Sequence, residues 1–421
     1  MRVGIVGGGI TGLALGHALT RAGIDWRLFE RSGRPGGVIR SRTIEGRVFE
    51  LGAQRTRMVE PVRRLVSALG LDDRVVEARP GLRLHILARG TLRAVPTAPG
   101  ALLRADLLTV TGRLRVALEP LTGGLRPDET VAGYFRRKAG DEAYRCLFGP
   151  LISATFASDP AAMPARHALP MILEPLGVRR SLLAAARRWT PAGAVACTFR
   201  EGMEELTGAL ARRYADRIAL SSAVVAVAPA EGGLRLELES GVDEVFDRAV
   251  LTTPAPTAAR LLSGCAPVAA DRLARLTYNE VVVVGLAADV PHEGFGFQTA
   301  LGSSWRTRGV TWSGSVFGRR GVCAAYLGGG LDPEIARWSD DEVAACAARE
   351  FEEIHGVSAE PMAVARPSLP AYDSSWDGLA GPDLPQGLSL LVNYMGRLGI
   401  SARIAQADAW AESLAREISA E

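Results

Sequence analysis

Lysine is almost absent from this chain. Of its 49 basic residues only Lys138 is a lysine, so positive charge is carried by arginine. The five cysteines (Cys146, Cys197, Cys265, Cys323, Cys346) show neither C-x-x-C nor any paired-ligand spacing. They read as reduced, mostly buried thiols of a cytoplasmic protein, which excludes a disulfide scaffold. The five histidines are isolated from one another, so no metal site is expected. No stretch approaches the roughly 18 consecutive apolar residues of a transmembrane helix. The first apolar run begins directly after Met1, leaving no room for a signal peptide. A formal net charge of +3 is nearly balanced and makes no demand for nucleic acid. What is present is a soluble globular composition, 48% hydrophobic and 23% charged, over 421 residues. That length suits two or three domains.

The most informative stretch is the start. Val3, Ile5 and Val6 suit a short buried strand, and Gly7, Gly9 and Gly12 then spell G-x-G-x-x-G. Residues 13–21 read as a helix stopped by Gly23. In such a turn one glycine permits the tight bend, one lets a pyrophosphate approach the backbone, and one allows close helix–strand packing. The free N–H groups and positive dipole end of the helix favour the same anion. A second strand, 26–30, ends in Glu30, about 20 residues after the turn, where an acid can take a ribose hydroxyl. Together these predict a dinucleotide site.

Arg34-Pro-Gly36-Gly37 follows the acid directly. Glu30-x-x-x-Arg34-x-Gly36-Gly37 resembles the FAD signature of the amine oxidase and protoporphyrinogen oxidase superfamily. The resemblance implies FAD, with Gly7, Gly9, Ile10, Thr11 and Gly12 at the pyrophosphate. It places Glu30, Arg31, Arg34, Gly36, Gly37 and Val38 further along the cofactor. Glu50-Leu-Gly52-Ala53-Gln54-Arg55 resembles the loop with which the porphyrinogen oxidases touch the flavin end. Val224 is placed at the adenine through its backbone, and Thr253, before Pro254, at a strand end near the cofactor. The closing stretch Val392-Asn393-Tyr-Met-Gly-Arg-Leu398-Gly399-Ile400 resembles the family's last segment, whose helix N-terminus points at the flavin pyrimidine. Val392 stands where relatives carry glycine or alanine.

The resemblance runs through most of the chain and implies an α/β fold: a Rossmann-type FAD-binding domain with an inserted substrate-binding sheet and a helical cap. The expected division is 1–85, 196–265 and 376–421 for the FAD domain, 86–195 for the cap and 266–375 for the substrate domain. Residues 84–87 and 92–96 are expected to form a hairpin, and 102–108, 129–138 and 142–147 to be helical. The segments 294–297, 309–317 and 323–328 are expected to be strands of one sheet.

The activity implied is oxidation of protoporphyrinogen or coproporphyrinogen by hydride transfer to flavin, with O2 as final acceptor. Arg83 and Arg366, with Arg55, are expected to bind carboxylates, and Trp312 and Phe317 to stack on a flat substrate. No catalytic acid or base is named, because the pyrrole N–H groups and tautomerisation of the substrate can handle protons. The true amine oxidases often place a lysine near flavin N5, whereas Lys138 lies in the helical insertion. An oxidase or desaturase of a smaller secondary metabolite, a flavin-dependent sugar mutase and a non-catalytic FAD-binding protein are the competing readings. The family's helical insertion also brings a membrane contact, so a cytoplasmic protein peripheral to the inner membrane face, or a homodimer, is compatible with the sequence.

Overall fold

The structure, a computed structural model, describes residues 1–96, 106–188, 194–379, 381, 383–396 and 398–420. Five parallel strands form its first sheet: β1 (Arg2–Val6), β2 (Asp25–Phe29), β3 (Ile218–Ala219), β4 (Arg248–Leu251) and β5 (Leu388–Leu390). Their spatial order is β3-β2-β1-β4-β5. From Val3 to Val6, β1 is apolar and buried because both faces of a parallel sheet are covered. On one side lie helix α1 (Ile10–Arg21) and the C-terminal helix Ile400–Ala420, joined through Leu15, Leu19, Ile404 and Ala411 in one core. On the other lie the three-stranded sheet 224–246 and the helices Ala255–Leu262 and Pro267–Ala274.

A second, mostly antiparallel sheet of eight strands is built around Tyr278–Ala287. One face carries Val282, Val284, Val310, Trp312, Cys323 and Leu327, which pack on helix Asp340–His355 through Val343, Ala347 and Phe351. That helix opens on a capping box between Ser339 and Glu342, which satisfies two N-terminal N–H groups at once. The hairpin at 84–94 forms as expected, but its strand 84–88 pairs with 296–299. It therefore belongs to this sheet and not to the helical segment that the boundary at residue 85 would assign it to.

The helical segment between the two returns to the sheets holds Val110–Ala117, Val131–Ala139 and Gly149–Phe156. Of the helix expected at 102–108, residues 102–105 lie outside the described residues, and 106–109 are not helical. Lys138 is wholly buried here, with its Nζ 2.5 Å from Glu119 and 2.9 Å from the Gly123 carbonyl. Glu119 in turn accepts from Ser181 and the Leu182 N–H, so the pair ties three turns together. On the outside Val110, Leu114, Leu118 and Leu121 form an exposed apolar ridge. No helix among the described residues is long and apolar enough to cross a membrane.

Candidate cofactor and substrate site

The carboxyl ends of β2, β1, β4 and β5 lie side by side, and there open α/β sheets bind ligands. Gly7, after β1, has φ +112°, and its N–H donates to the Phe29 carbonyl at 2.9 Å. The Thr252 hydroxyl, after β4, donates to the carbonyls of Val6 and Gly7 at 3.0 and 2.9 Å. A Cβ on Gly12 would stand 2.1 Å from the Gly7 carbonyl oxygen, whereas a Cβ on Gly9 would meet nothing within 4 Å. Gly12 is therefore a packing glycine and Gly9 faces open space. Helix α1 begins at Ile10 with no side-chain cap, and Thr11 is buried in its first turn. These free N–H groups beside the space at Gly9 suit a pyrophosphate.

Glu30 stands at the end of β2, with one oxygen accepting the Gly8 N–H at 2.7 Å and the other the Ser32 N–H at 2.8 Å. The Gly36 N–H donates to Gly8 at 2.8 Å, and a Cβ on Gly37 would come within 3.3 Å of the Gly9 Cα. The second loop thus closes against the first. Arg34 folds back to donate to the Gly37 carbonyl at 3.0 Å, while Arg31 and Val38 are exposed. A Cβ on Gly52 would stand 1.9 Å from the Val38 carbonyl oxygen, so only glycine lets these loops touch. Gln54 donates to the Glu50 carbonyl at 2.9 Å, and Ala53 packs in the same core as Ile10, Ile400 and Leu391.

Val224 begins its strand two residues after Ser222, whose N–H donates to the Glu30 carbonyl at 2.9 Å. Thr253 is buried, and its hydroxyl has no partner among the described residues. Thr252, which braces the glycine turn, had no separate signal in the sequence. Asn393, Leu398 and Gly399 follow β5, with Gly399 exposed and Leu398 against the helical segment. The Val392 side chain is turned into the core beside Leu251, Leu388 and Tyr394. Its bulk therefore does not fill the groove, and the departure from glycine or alanine is accommodated inward. The open side of Gly9, the uncapped helix and the orphaned Thr253 hydroxyl together fit a flavin dinucleotide.

The inner face of the eight-stranded sheet carries Thr311 and Tyr326, whose hydroxyls lie 3.1 Å apart. Burial pushes the Tyr326 hydroxyl up to about 12. Arg55 places its guanidinium 5.2 Å from the centre of the Phe295 ring, a cation–π contact. Arg55 is exposed at the surface, and the protein around it lowers its pKa. Behind it, Glu50 is buried and accepts Arg319 at 2.9 Å, Ser41 at 2.6 Å and the Met203 N–H at 3.0 Å. That network fixes the strand from which the 52–55 loop leaves.

Both expected stacking residues are buried. Trp312 is wholly buried on the helix side, where its Nε1 donates to His355 Nε2 at 3.1 Å and its ring stacks on His292. Phe317 belongs to a short helix, Ser313–Phe317, and is buried in a satellite cluster with Val316 and Ala78. Arg366 is occupied by Glu280 at 3.0 Å and Asp340 at 2.8 Å. Arg83 is exposed and makes no ion pair among the described residues; its carbonyl accepts the Phe295 N–H at 2.9 Å.

His355 carries a pH prediction. Burial lowers its pKa from 6.5 to about 4, and burial also lowers that of His85 on the other side of Trp312. Between these values the unfolded chain binds the proton and the folded one does not. Stability from His355 is thus complete above pH 6.5 and lost as pH falls towards 4, by about 3 kcal/mol. Thermal unfolding across that window should show the decline, and His355→Gln should flatten it.

Residues 10–378 match the sequence profile of the family described as flavin containing amine oxidoreductase. Protoporphyrinogen oxidase 1 of Spinacia oleracea chloroplasts is 28% identical over 396 residues, covering 83% of this chain and 70% of its own. The coproporphyrinogen III oxidase of Mycobacterium leprae is 28% identical over 446 residues, 98% of either chain. A solved structure from Exiguobacterium sp. 255-15, provisionally named a protoporphyrinogen oxidase, superposes with a TM-score of 0.80 at 25% identity over 99% of both chains.

Proposed function

Because the chain belongs to the flavin-containing amine oxidoreductase family, we propose that it is an FAD-dependent oxidase that takes hydride equivalents from a porphyrinogen and passes the electrons to O2. The bound flavin supplies the two-electron acceptor. The chain's own share is to hold the donor against it and to bind the donor's anionic groups.

The observation that carries this reading is the wall formed by Arg55, Phe295, Tyr326 and Thr311 beside the 52–55 loop. It combines an arginine free of ion pairs among the described residues with an aromatic face and two hydroxyls. A flat donor with carboxylate side chains matches that chemistry: guanidinium for a carboxylate, ring faces for the macrocycle. The two curated relatives named above act on protoporphyrinogen and coproporphyrinogen by their names, and the second extends over 98% of both chains. A lysine-assisted amine oxidation fits less well. Lys138, the one lysine, is sealed against Glu119 in the helical segment. A non-catalytic role loses its main support too, since Val392 leaves the groove open.

Aerobic turnover of the flavin-loaded protein with coproporphyrinogen III and protoporphyrinogen IX, followed by porphyrin fluorescence, tests the proposal. Enzyme-dependent fluorescence above autoxidation, with peroxide formed, is expected for at least one. Autoxidation rates alone with both donors would move the substrate to another class of CH–NH or CH–CH compound.

A further inference from the structure

The strand order lays the cofactor out along the sheet edge. Glu30 at the end of β2 marks the ribose, the glycine turn after β1 marks the pyrophosphate, and β4 and β5 follow in that direction. The loop after β5 therefore faces the part of a flavin dinucleotide beyond the pyrophosphate, the isoalloxazine. Its neighbours agree, since Ile400 shares a core with Ile10 of the glycine turn and Ala53 of the 52–55 loop.

Arg403 lies in the first turn of the helix that follows this loop and is only 6% exposed. Its Nη1 donates to the Val392 carbonyl at 2.6 Å and to Gln406 Oε1 at 2.6 Å. A Cβ on Gly396 would stand 3.0 Å from its Nη2, so the loop runs directly over the guanidinium. Its Nε–H is buried without a partner among the described residues. Among the described residues the one titratable group acting on it is the Tyr372 phenol, and no carboxylate does. A buried cation held by carbonyls alone is unfavourable unless a negative charge arrives.

Reduction of the flavin brings one. A hydride equivalent, two electrons and a proton, turns the neutral ring into a monoanion whose charge lies on the pyrimidine portion, while the donor loses the corresponding C–H bond and its electron pair. We propose that Arg403 is the counter-charge for that anion: it stabilises the reduced flavin more than the oxidised one and raises the cofactor's reduction potential. Its contact with Val392 places the charge, and Gly396 keeps the backbone between them thin.

The test uses the flavin-loaded protein without any organic donor, so its outcome is independent of the porphyrinogen reading. Sulfite adds through its lone pair to the oxidised ring and leaves negative charge on the same portion. Sulfite titration and spectroelectrochemistry are made on the parent, R403M, R403Q and R403K. In R403M and R403Q sulfite should bind at least tenfold more weakly, with the midpoint potential lower by about 30 mV per tenfold for a two-electron couple. R403K should remain within about threefold of the parent, because it keeps the charge. R403Q retains a donor for the Val392 carbonyl, which keeps the readout available where R403M loses flavin. Parental sulfite affinity and potential in R403Q, with only a lower unfolding temperature, would overturn the proposal and reduce Arg403 to a staple for the 392–396 loop.

Discussion

Gly9→Val is expected to fold normally and lose its flavin, while Gly12→Val, three residues on, is expected to be strongly destabilised. The expected contrast follows from what each missing side chain would touch. A Cβ on Gly9 meets nothing within 4 Å, whereas one on Gly12 stands 2.1 Å from the Gly7 carbonyl oxygen. Valine at position 9 therefore leaves β1 and α1 undisturbed and fills the space where a pyrophosphate would reach the helix N-terminus. Losing that anchor should weaken flavin binding by about 1000-fold, roughly 4 kcal/mol. Valine at position 12 must drive apart a strand and helix in the middle of the core, a destabilisation of roughly 3 kcal/mol or more. Flavin absorbance of the purified variants beside their thermal unfolding separates the two. A yellow, fully loaded Gly9→Val protein would remove the pyrophosphate from this turn.

The second large effect is expected at Arg55. Hydrogen bonds to charged groups contribute about 1.5–3 kcal/mol, so Arg55→Met should lower kcat/KM for a porphyrinogen by roughly 10- to 100-fold. The methyl ester of the same donor, which carries no charge, should lose little. Flavin retention should hold, because the guanidinium lies over Phe295 and near Tyr326 on the inner face of the second sheet. Loss of flavin with an unchanged ratio of acid to ester would assign Arg55 to the cofactor instead.

The glycine turn and Glu30 were legible because their chemistry is local. A strand, a turn and a helix specify one another within 30 residues, and Gly12 answers a contact inside that span, with the Gly7 carbonyl. Gly52 was marked by the resemblance of its motif, and the folded chain gives it a further reason, its close approach to the Val38 carbonyl 14 residues earlier. Thr252 was not, because its bond to Gly7 exists only once β4 lies beside β1. The substrate wall was misread by parity. Along 309–312 and 323–328 side chains alternate between faces, and the large indole drew attention to Trp312. The apolar set Val310, Trp312, Cys323 and Leu327 is the face covered by helix 340–355. The sparser set with two hydroxyls, Thr311 and Tyr326, lies on the opposite face. That period-2 division was present in the sequence, and its polar half is the face proposed for the substrate. Phe317 escaped the same reasoning because its strand ends at Trp312 and turns into helix. Arg366 was lost to partners 86 and 26 residues away, Glu280 and Asp340, which no local pattern announces. Arg403 carries no local signal either, since its lack of a counter-charge among the described residues is a property of the folded interior.

The most direct measurement is anaerobic mixing of the flavin-loaded protein with coproporphyrinogen III, followed by the visible absorbance of the flavin. The oxidised flavin band should bleach as porphyrin absorbance appears, and admitting O2 should restore the band with release of peroxide. A flavin that stays oxidised with both porphyrinogens, in protein whose flavin dithionite reduces and O2 reoxidises, would contradict it.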